Sequence, residues 1–249
     1  MKKDNLNVKI FNTRSEMGAD AANDIFLCIQ TLLKQKDEIN IIFAAAPSQN
    51  EVLESLVANN KIDWSRINAF HMDEYIGLAP DAPQGFGNFL HRAIFDKVNF
   101  KSVHYINGSA KNIQDECERY SNLIKQYPTD IVCLGIGENG HIAFNDPPVA
   151  DFCDKHIIKS VKLDEICRNQ QVHDGCFEKI DDVPTHALTL TVPTLFSGRH
   201  LFCVVPAITK ADAVYKMLND DINEKCPATI LRKHKSAVLY CDKDSASKL

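Results

Sequence analysis

Ile131-Val132-Cys133-Leu134-Gly135-Ile136-Gly137-Glu138-Asn139-Gly140-His141-Ile142-Ala143-Phe144-Asn145-Asp146-Pro147-Pro148 decides how the chain is read. The apolar run over 131–136 reads as a buried strand, and the glycines at 135, 137 and 140 then let the backbone turn tightly and approach a ligand. His141 and Asp146 follow that turn, so they are presented from the carboxyl end of a sheet, where open α/β folds place their active sites. Gly135-Ile136-Gly137 lacks the further glycine of a dinucleotide fingerprint, so no nicotinamide cofactor is expected.

Outward from this stretch, the same rhythm repeats. Short apolar runs read as strands at Val8–Phe11, Ile39–Ala46, Ile67–Phe70, Val103–Ile106, Leu201–Val205 and Ala237–Cys241. Helical periodicity separates them over about 16–35, 49–60, 86–98, 112–126 and 209–219. Near-continuous hydrophobic strands joined by helices require a sheet covered on both faces, so the fold class is α/β: a doubly wound, mostly parallel, Rossmann-like sheet. Alternating patterns at 155–163 and 185–195 break the rhythm and predict a small antiparallel excursion. No repeat, low-complexity linker or charge run divides the chain, so one domain over 1–249 is expected.

Composition excludes several classes of function. Acidic residues outnumber Lys and Arg by 33 to 28, a net charge of −5, and no basic block offers the footprint that nucleic acid requires. The first residues, MKKDNLN, contain no apolar targeting segment, and no long apolar run suggests a membrane span, so a cytoplasmic protein is expected. Nine scattered cysteines without a C-x-x-C pair read as free thiols of a reducing compartment.

Three further clusters carry chemistry. Phe70-His71-Met72-Asp73-Glu74-Tyr75 leads from a strand towards the long loop Gly77–Gly87; its adjacent carboxylates point in different directions, one towards a cleft and one towards other partners. Ala46-Pro47-Ser48-Gln49-Asn50-Glu51 reads either as a capping box, Ser48 with Glu51, or as a phosphate site at a helix start. Lys210 places a cation at another junction of strand and helix, although such a lysine is often only surface decoration.

Taken together, MDEY with its glycine-bearing loop, the GIGENGHIAFNDP turn, VPTHALT and the late lysine resemble the glucosamine-6-phosphate deaminase/isomerase family, in the right order over most of the chain. The related 6-phosphogluconolactonases share the fold, but Phe144-Asn145-Asp146-Pro147 is similar to the deaminase form. The resemblance implies conversion of an amino-sugar phosphate to a ketose phosphate and ammonia, a deamination classed with the hydrolases, without a metal. It implies Asp73 as the base that moves a proton from C2 to C1, and His141 as the ring-opening group, oriented by Asn139 and Asp146. Ser48, Gln49, Gly140 and Lys210 would hold the substrate and its phosphate. The resemblance is compatible with a homo-oligomer, since the family ranges from monomers to hexamers.

Several residues depart from the family pattern. Ala46-Pro47-Ser48-Gln49 replaces Gly-Gly-Thr-Pro, and Pro47 removes an N–H donor. Asn139 stands where some members carry Asp, and Asp146 replaces a glutamate, drawing the carboxylate back by one methylene. The phosphate-binding arginine of many members falls on Gly175, so Arg168 substitutes only if 169–175 folds differently. The competing readings are a 6-phosphogluconolactonase-like hydrolase and a sugar-phosphate sensor without turnover.

Overall fold

The computed structural model describes all 249 residues, Met1–Leu249. The first half of the chain forms β1 (Lys2–Lys3), β2 (Leu6–Phe11), α1 (Arg14–Leu33), β3 (Ile39–Phe43), α2 (Asn50–Val57), β4 (Ile67–His71), β5 (Asp73–Tyr75), α3 (Phe86–Leu90), β6 (Ser102–His104) and α4 (Ile113–Gln126). The second half forms β7 (Ile131–Leu134), β8 (Ile158–Lys162), α5 (Glu165–His173), β9 (His186–Leu190), α6 (Val192–Phe196), β10 (His200–Val205), α7 (Ala211–Asn219) and β11 (Ala237–Asp242). The main sheet has the order β1-β2-β11-β10-β7-β3-β4-β6 and is parallel except for the β1–β2 pair. A second, antiparallel sheet has the order β5-β9-β8.

Alternation along the central strands explains why both faces are covered. Ile41, Phe43, Ile131, Cys133 and Val204 enter one core with α1 and α2, while Ile42, Val132, Leu134, Cys203 and Val205 enter another with α4 and α7. A strand buried on both sides has no polar face, which is why β3, β7 and β10 read as nearly continuous apolar runs, interrupted inside β3 by Asn40. All nine cysteines are free thiols, and Cys133, Cys203 and Cys241 are packed inside the sheet. No helix is long and apolar enough to cross a membrane.

β7 lies between β3 and β10, and the chain winds from β3 outward to β4 and β6 but from β7 the other way to β10 and β11. The carboxyl ends of β3 and β7 therefore diverge, leaving a crevice at the switch point. The segments after β3, β7 and β10 open there.

The structure amends the expected elements in four places. β3 stops at Phe43, although the Ala44 N–H still donates to the Cys133 carbonyl at 2.9 Å. Asp73–Tyr75 is a strand of the second sheet, paired to β9, rather than the start of a loop. Thr191–Leu195 does not continue the antiparallel excursion: Thr191 caps α6, whose first turn holds Pro193, a residue without the N–H a sheet ladder needs. Finally, α5 has a sequence, EICRNQQVH, too polar to show a helical stripe; its inward face carries Cys167, Gln170 and Gln171.

Candidate active site

The crevice is a cavity of about 490 Å³ lined by the ends of β3, β5, β7 and β10, by α5 and by the 77–87 loop. Asp73 is 6% exposed and lines it, and its carboxyl accepts no hydrogen bond from the protein. Burial, and then the neighbouring charge of Glu74, push the Asp73 carboxyl well above the usual carboxylate range. Glu74 lies outside the cavity and accepts the N–H groups of Tyr75 at 2.9 Å, Phe86 at 3.0 Å and Gly87 at 2.8 Å. It thereby caps α3, a favourable place for an anion. The two carboxylates do diverge, one to the cavity and one to backbone. Behind them, buried His71 is drawn down to about 4 by desolvation, so it is neutral. Its Nδ1–H donates to the Asp73 carbonyl at 2.9 Å while Nε2 accepts from the Ile106 N–H at 2.9 Å, fixing the Asp73 backbone.

The second wall is the glycine turn. A Cβ on Gly137 would stand 2.1 Å from Cε1 of His141, so only glycine lets the imidazole fold over this position. Asn139 receives the His141 N–H on Oδ1 at 3.0 Å and donates from Nδ2 to Oδ1 of Asp146 at 2.9 Å. The same Asp146 oxygen stands 2.8 Å from Nδ1 of His141, an ion-pair distance at an angle short of a well-aligned hydrogen bond. Burial alone would raise the Asp146 carboxyl, but His141, Asn139 and Cys167 together hold it below its ordinary value. The loop that carries Asp146 is pinned to β9, with the Asn145 amide donating to the Ile142 carbonyl at 2.8 Å and the Leu190 carbonyl at 2.9 Å. Asp146 therefore reaches His141 despite its shorter side chain.

The third group lies where β3 and β10 end. Pro47–Gln49 forms a 3₁₀ turn before α2, and Gln49, in helical conformation, occupies the cap position without a side-chain capping hydrogen bond. The Ser48–Glu51 capping box does not form. Arg14 takes Glu51 instead, with Nε to Oε1 at 2.8 Å and Nη2 to Oε2 at 3.0 Å, which leaves the Ser48 hydroxyl on the cavity wall. Lys210 also lines the cavity; it is 5% exposed and its Nζ has no partner. Burial lowers its pKa, opposed by the charges of Asp174 and Glu138.

Other expected site residues lie elsewhere. Gln49 is buried behind the wall, its amide donating to Ser48 Oγ at 3.1 Å and the Val204 carbonyl at 3.3 Å. Gly140 shapes the turn rather than facing the cavity: its φ is +80°, and a Cβ there would meet the Cys226 sulfur at 2.4 Å. Arg168 is no substitute for the absent arginine, because its guanidinium faces protein and donates to the carbonyls of Ile180 at 2.7 Å and Val183 at 2.9 Å. Gly175 does line the cavity, with open space where a side chain would stand.

Sequence reasoning missed Arg14, which reaches the wall and donates to the Pro47 carbonyl at 3.0 Å, one residue from Ser48. No motif marks it; only the packing of α1 on α2 brings it there. It also missed Arg92, Gln170 and Gln171 on the cavity wall. His141, Asp146 and Cys167 bring metal-ligating atoms within 4.8 Å of one another. Two ligands on a tetrahedral zinc ion at about 2.0 to 2.1 Å stand roughly 3.3 Å apart. The 2.8 Å separation of Nδ1 and Oδ1 is that of directly interacting groups instead.

The family profile described as glucosamine-6-phosphate isomerases/6-phosphogluconolactonase matches residues 12–155. A glucosamine-6-phosphate deaminase of Bacillus cereus (strain B4264) is 31% identical over 242 residues, 97% of this chain and 88% of the relative. One from Bacillus cytotoxicus is 32% identical over 219 residues, 88% of this chain and 81% of the relative. Among solved structures, a monomeric glucosamine-6-phosphate deaminase of the NagB superfamily matches with a TM-score of 0.87 and 29% identity, over 98% of this chain and 100% of that one. A 6-phosphogluconolactonase from Thermotoga maritima matches at a TM-score of 0.77 and 20% identity, over 96% of this chain and 100% of that one, a likeness of fold alone.

Proposed function

The chain belongs to the glucosamine-6-phosphate isomerase/6-phosphogluconolactonase family, and we propose that within it the protein converts an amino-sugar phosphate, glucosamine 6-phosphate or its galacto epimer, to a ketose phosphate and ammonia. The observation that carries this reading is the sharing of one cavity by the unbonded Asp73 carboxyl, the His141–Asp146 pair and the unpartnered Lys210 amine.

The phosphate is held by Lys210, the Ser48 hydroxyl and Arg14. His141, with Nδ1 towards Asp146, delivers a proton from Nε2 to the ring oxygen as the C1–O5 bond breaks, and the C1 hydroxyl gives its proton to water. Asp73, as the carboxylate, takes the C2 proton of the open-chain aldehyde to give an enolamine and returns a proton to C1, leaving an imine at C2. Water adds to the imine carbon, and ammonia departs as the ketose carbonyl forms. A base for a carbon acid gains from a raised pKa, because proton transfer is most effective when the donor and acceptor are closely matched. The intact Asn139–Asp146–His141 chain supports turnover over a sensor, and an apolar-walled Asp73 would have little to do in a lactonase.

Incubation with each hexosamine 6-phosphate, measuring ammonia and ketose 6-phosphate, tests the reading. Asp73→Asn and His141→Ala are each expected to lower kcat by about 100- to 10,000-fold. The acid limb of the wild-type kcat profile should lie above the ordinary carboxylate range, because Asp73 acts only when ionised and its pKa is raised. Lactone hydrolysis without ammonia from either epimer would establish the lactonase instead, and calorimetric binding without turnover the sensor.

A further inference from the structure

Asp146 has an uneven environment. Its Oδ1 serves both Asn139 Nδ2 at 2.9 Å and His141 Nδ1 at 2.8 Å, whereas Oδ2 is buried and has no hydrogen-bond partner. A buried anionic oxygen without a donor is costly, about 1 to 3 kcal/mol or more. A thiol stands close by: Cys167 is fully buried on α5, with its sulfur inside the 4.8 Å cluster formed with His141 and Asp146.

We propose that Cys167 is a positioning residue for the ring-opening dyad: its thiol donates to Asp146 and holds the shortened carboxylate against His141. The inference rests on the His141 role proposed above. Two features favour it. Burial, followed by the nearby Asp146 charge, pushes the Cys167 thiol well above its ordinary value, so the proton stays on sulfur and is available to donate. The same face of α5 also carries Gln170, one turn on, whose Oε1 accepts the Glu138 N–H at 2.8 Å. One helix thus holds the glycine turn and the carboxylate behind it, and this accounts for polar residues where a core helix would carry leucines.

The test compares Cys167→Ala with Cys167→Ser. Alanine removes the donor and should lower kcat about tenfold with KM within about twofold, whereas serine should retain kcat within about threefold. Equal losses in both variants, or an alanine variant with the wild-type kcat, would overturn the proposal. A readout independent of turnover is the S–H stretching band isolated by subtracting the infrared spectrum of Cys167→Ser from that of the wild type. A band lowered and broadened relative to an apolar-core thiol, and restored in Asp146→Ala, supports the hydrogen bond; a band at the apolar position sinks it. Should the wild type release no ammonia, the proposed activity fails while the infrared result still decides whether the thiol holds Asp146.

Discussion

The two ends of the cavity are built on opposite principles. At the proton-transfer end, the groups that support the acid and the base are anchored, while the Asp73 carboxyl they surround accepts no hydrogen bond: Glu74 is held by three backbone N–H groups, His71 on both ring nitrogens, and Asn139 on both His141 and Asp146. At the anion end the opposite holds, with a bare Lys210 amine, an Ala207 forced to positive φ and no arginine at Gly175. A proton-transfer group must be held in one place before substrate arrives, since misplacement by about 1 Å costs roughly 100-fold in rate. A charge that waits for phosphate is instead left unsatisfied until it binds.

Replacing Lys210 breaks this contrast most severely. Lys210→Met removes a charge-assisted contact of about 1.5 to 3 kcal/mol, so KM for the sugar phosphate should rise about 10- to 150-fold. Unliganded, the same variant should be more stable by about 1 to 3 kcal/mol, because a buried amine without a partner becomes an apolar chain of similar length. The sign with pH follows from the depressed pKa of Lys210. Its burial penalty is full below the folded-state pKa and fades as pH rises towards the unfolded value, so the advantage of methionine should shrink over that interval. Denaturant melts at several pH values, read beside the KM, check both halves.

How much of this was legible in the sequence follows the same division. β3, β7 and β10 are mostly apolar because both of their faces are buried, so their runs pointed to the parallel sheet and its carboxyl end. The glycine turn and the FHMDEY segment were readable because local geometry demands their residues: glycine at 137 for the imidazole, adjacent acids for two directions. Ser48 and Glu51 suggested a local capping box, but α1 brings Arg14 across to Glu51, a tertiary ion pair that no local pattern contains. Arg168 stayed conditional for the same reason. Its role depends on where the carbonyls of Ile180 and Val183 come to rest. α5 stayed invisible because its inward side chains answer to the site rather than to the core.

Glu74→Gln probes the anchored end with a smaller effect. An amide offers one oxygen where the carboxylate offered two, and its NH₂ would face a backbone donor, so stability should fall by about 1 to 3 kcal/mol. Removing this negative charge also removes one of the two causes that raise the Asp73 carboxyl. The acid limb of kcat should therefore move to lower pH. A destabilised variant with an unmoved limb would mean that Asp73 is governed by burial alone.

The smallest effect expected is at Ala207, and it asks whether strain at the anion end is structural or functional. Its φ of +81° and ψ of 148° belong to a region that glycine occupies freely and alanine at a cost of about 1 to 3 kcal/mol. The conformation is held by Asp242, whose carboxylate oxygens accept the Ala207 N–H at 3.1 and 3.2 Å, and it aims the Ile208–Lys210 turn into the cavity. Ala207→Gly relieves the strain but adds about 0.4 to 1 kcal/mol of backbone freedom to the unfolded chain. The net stabilisation should be about 1 kcal/mol, or about 2 to 4 °C in Tm. If Asp242 alone sets the turn, KM will stay at the wild-type value. If alanine's narrower backbone range helps to hold Lys210 on the phosphate, KM will rise about twofold while kcat is unchanged, and the strain belongs to the binding of substrate.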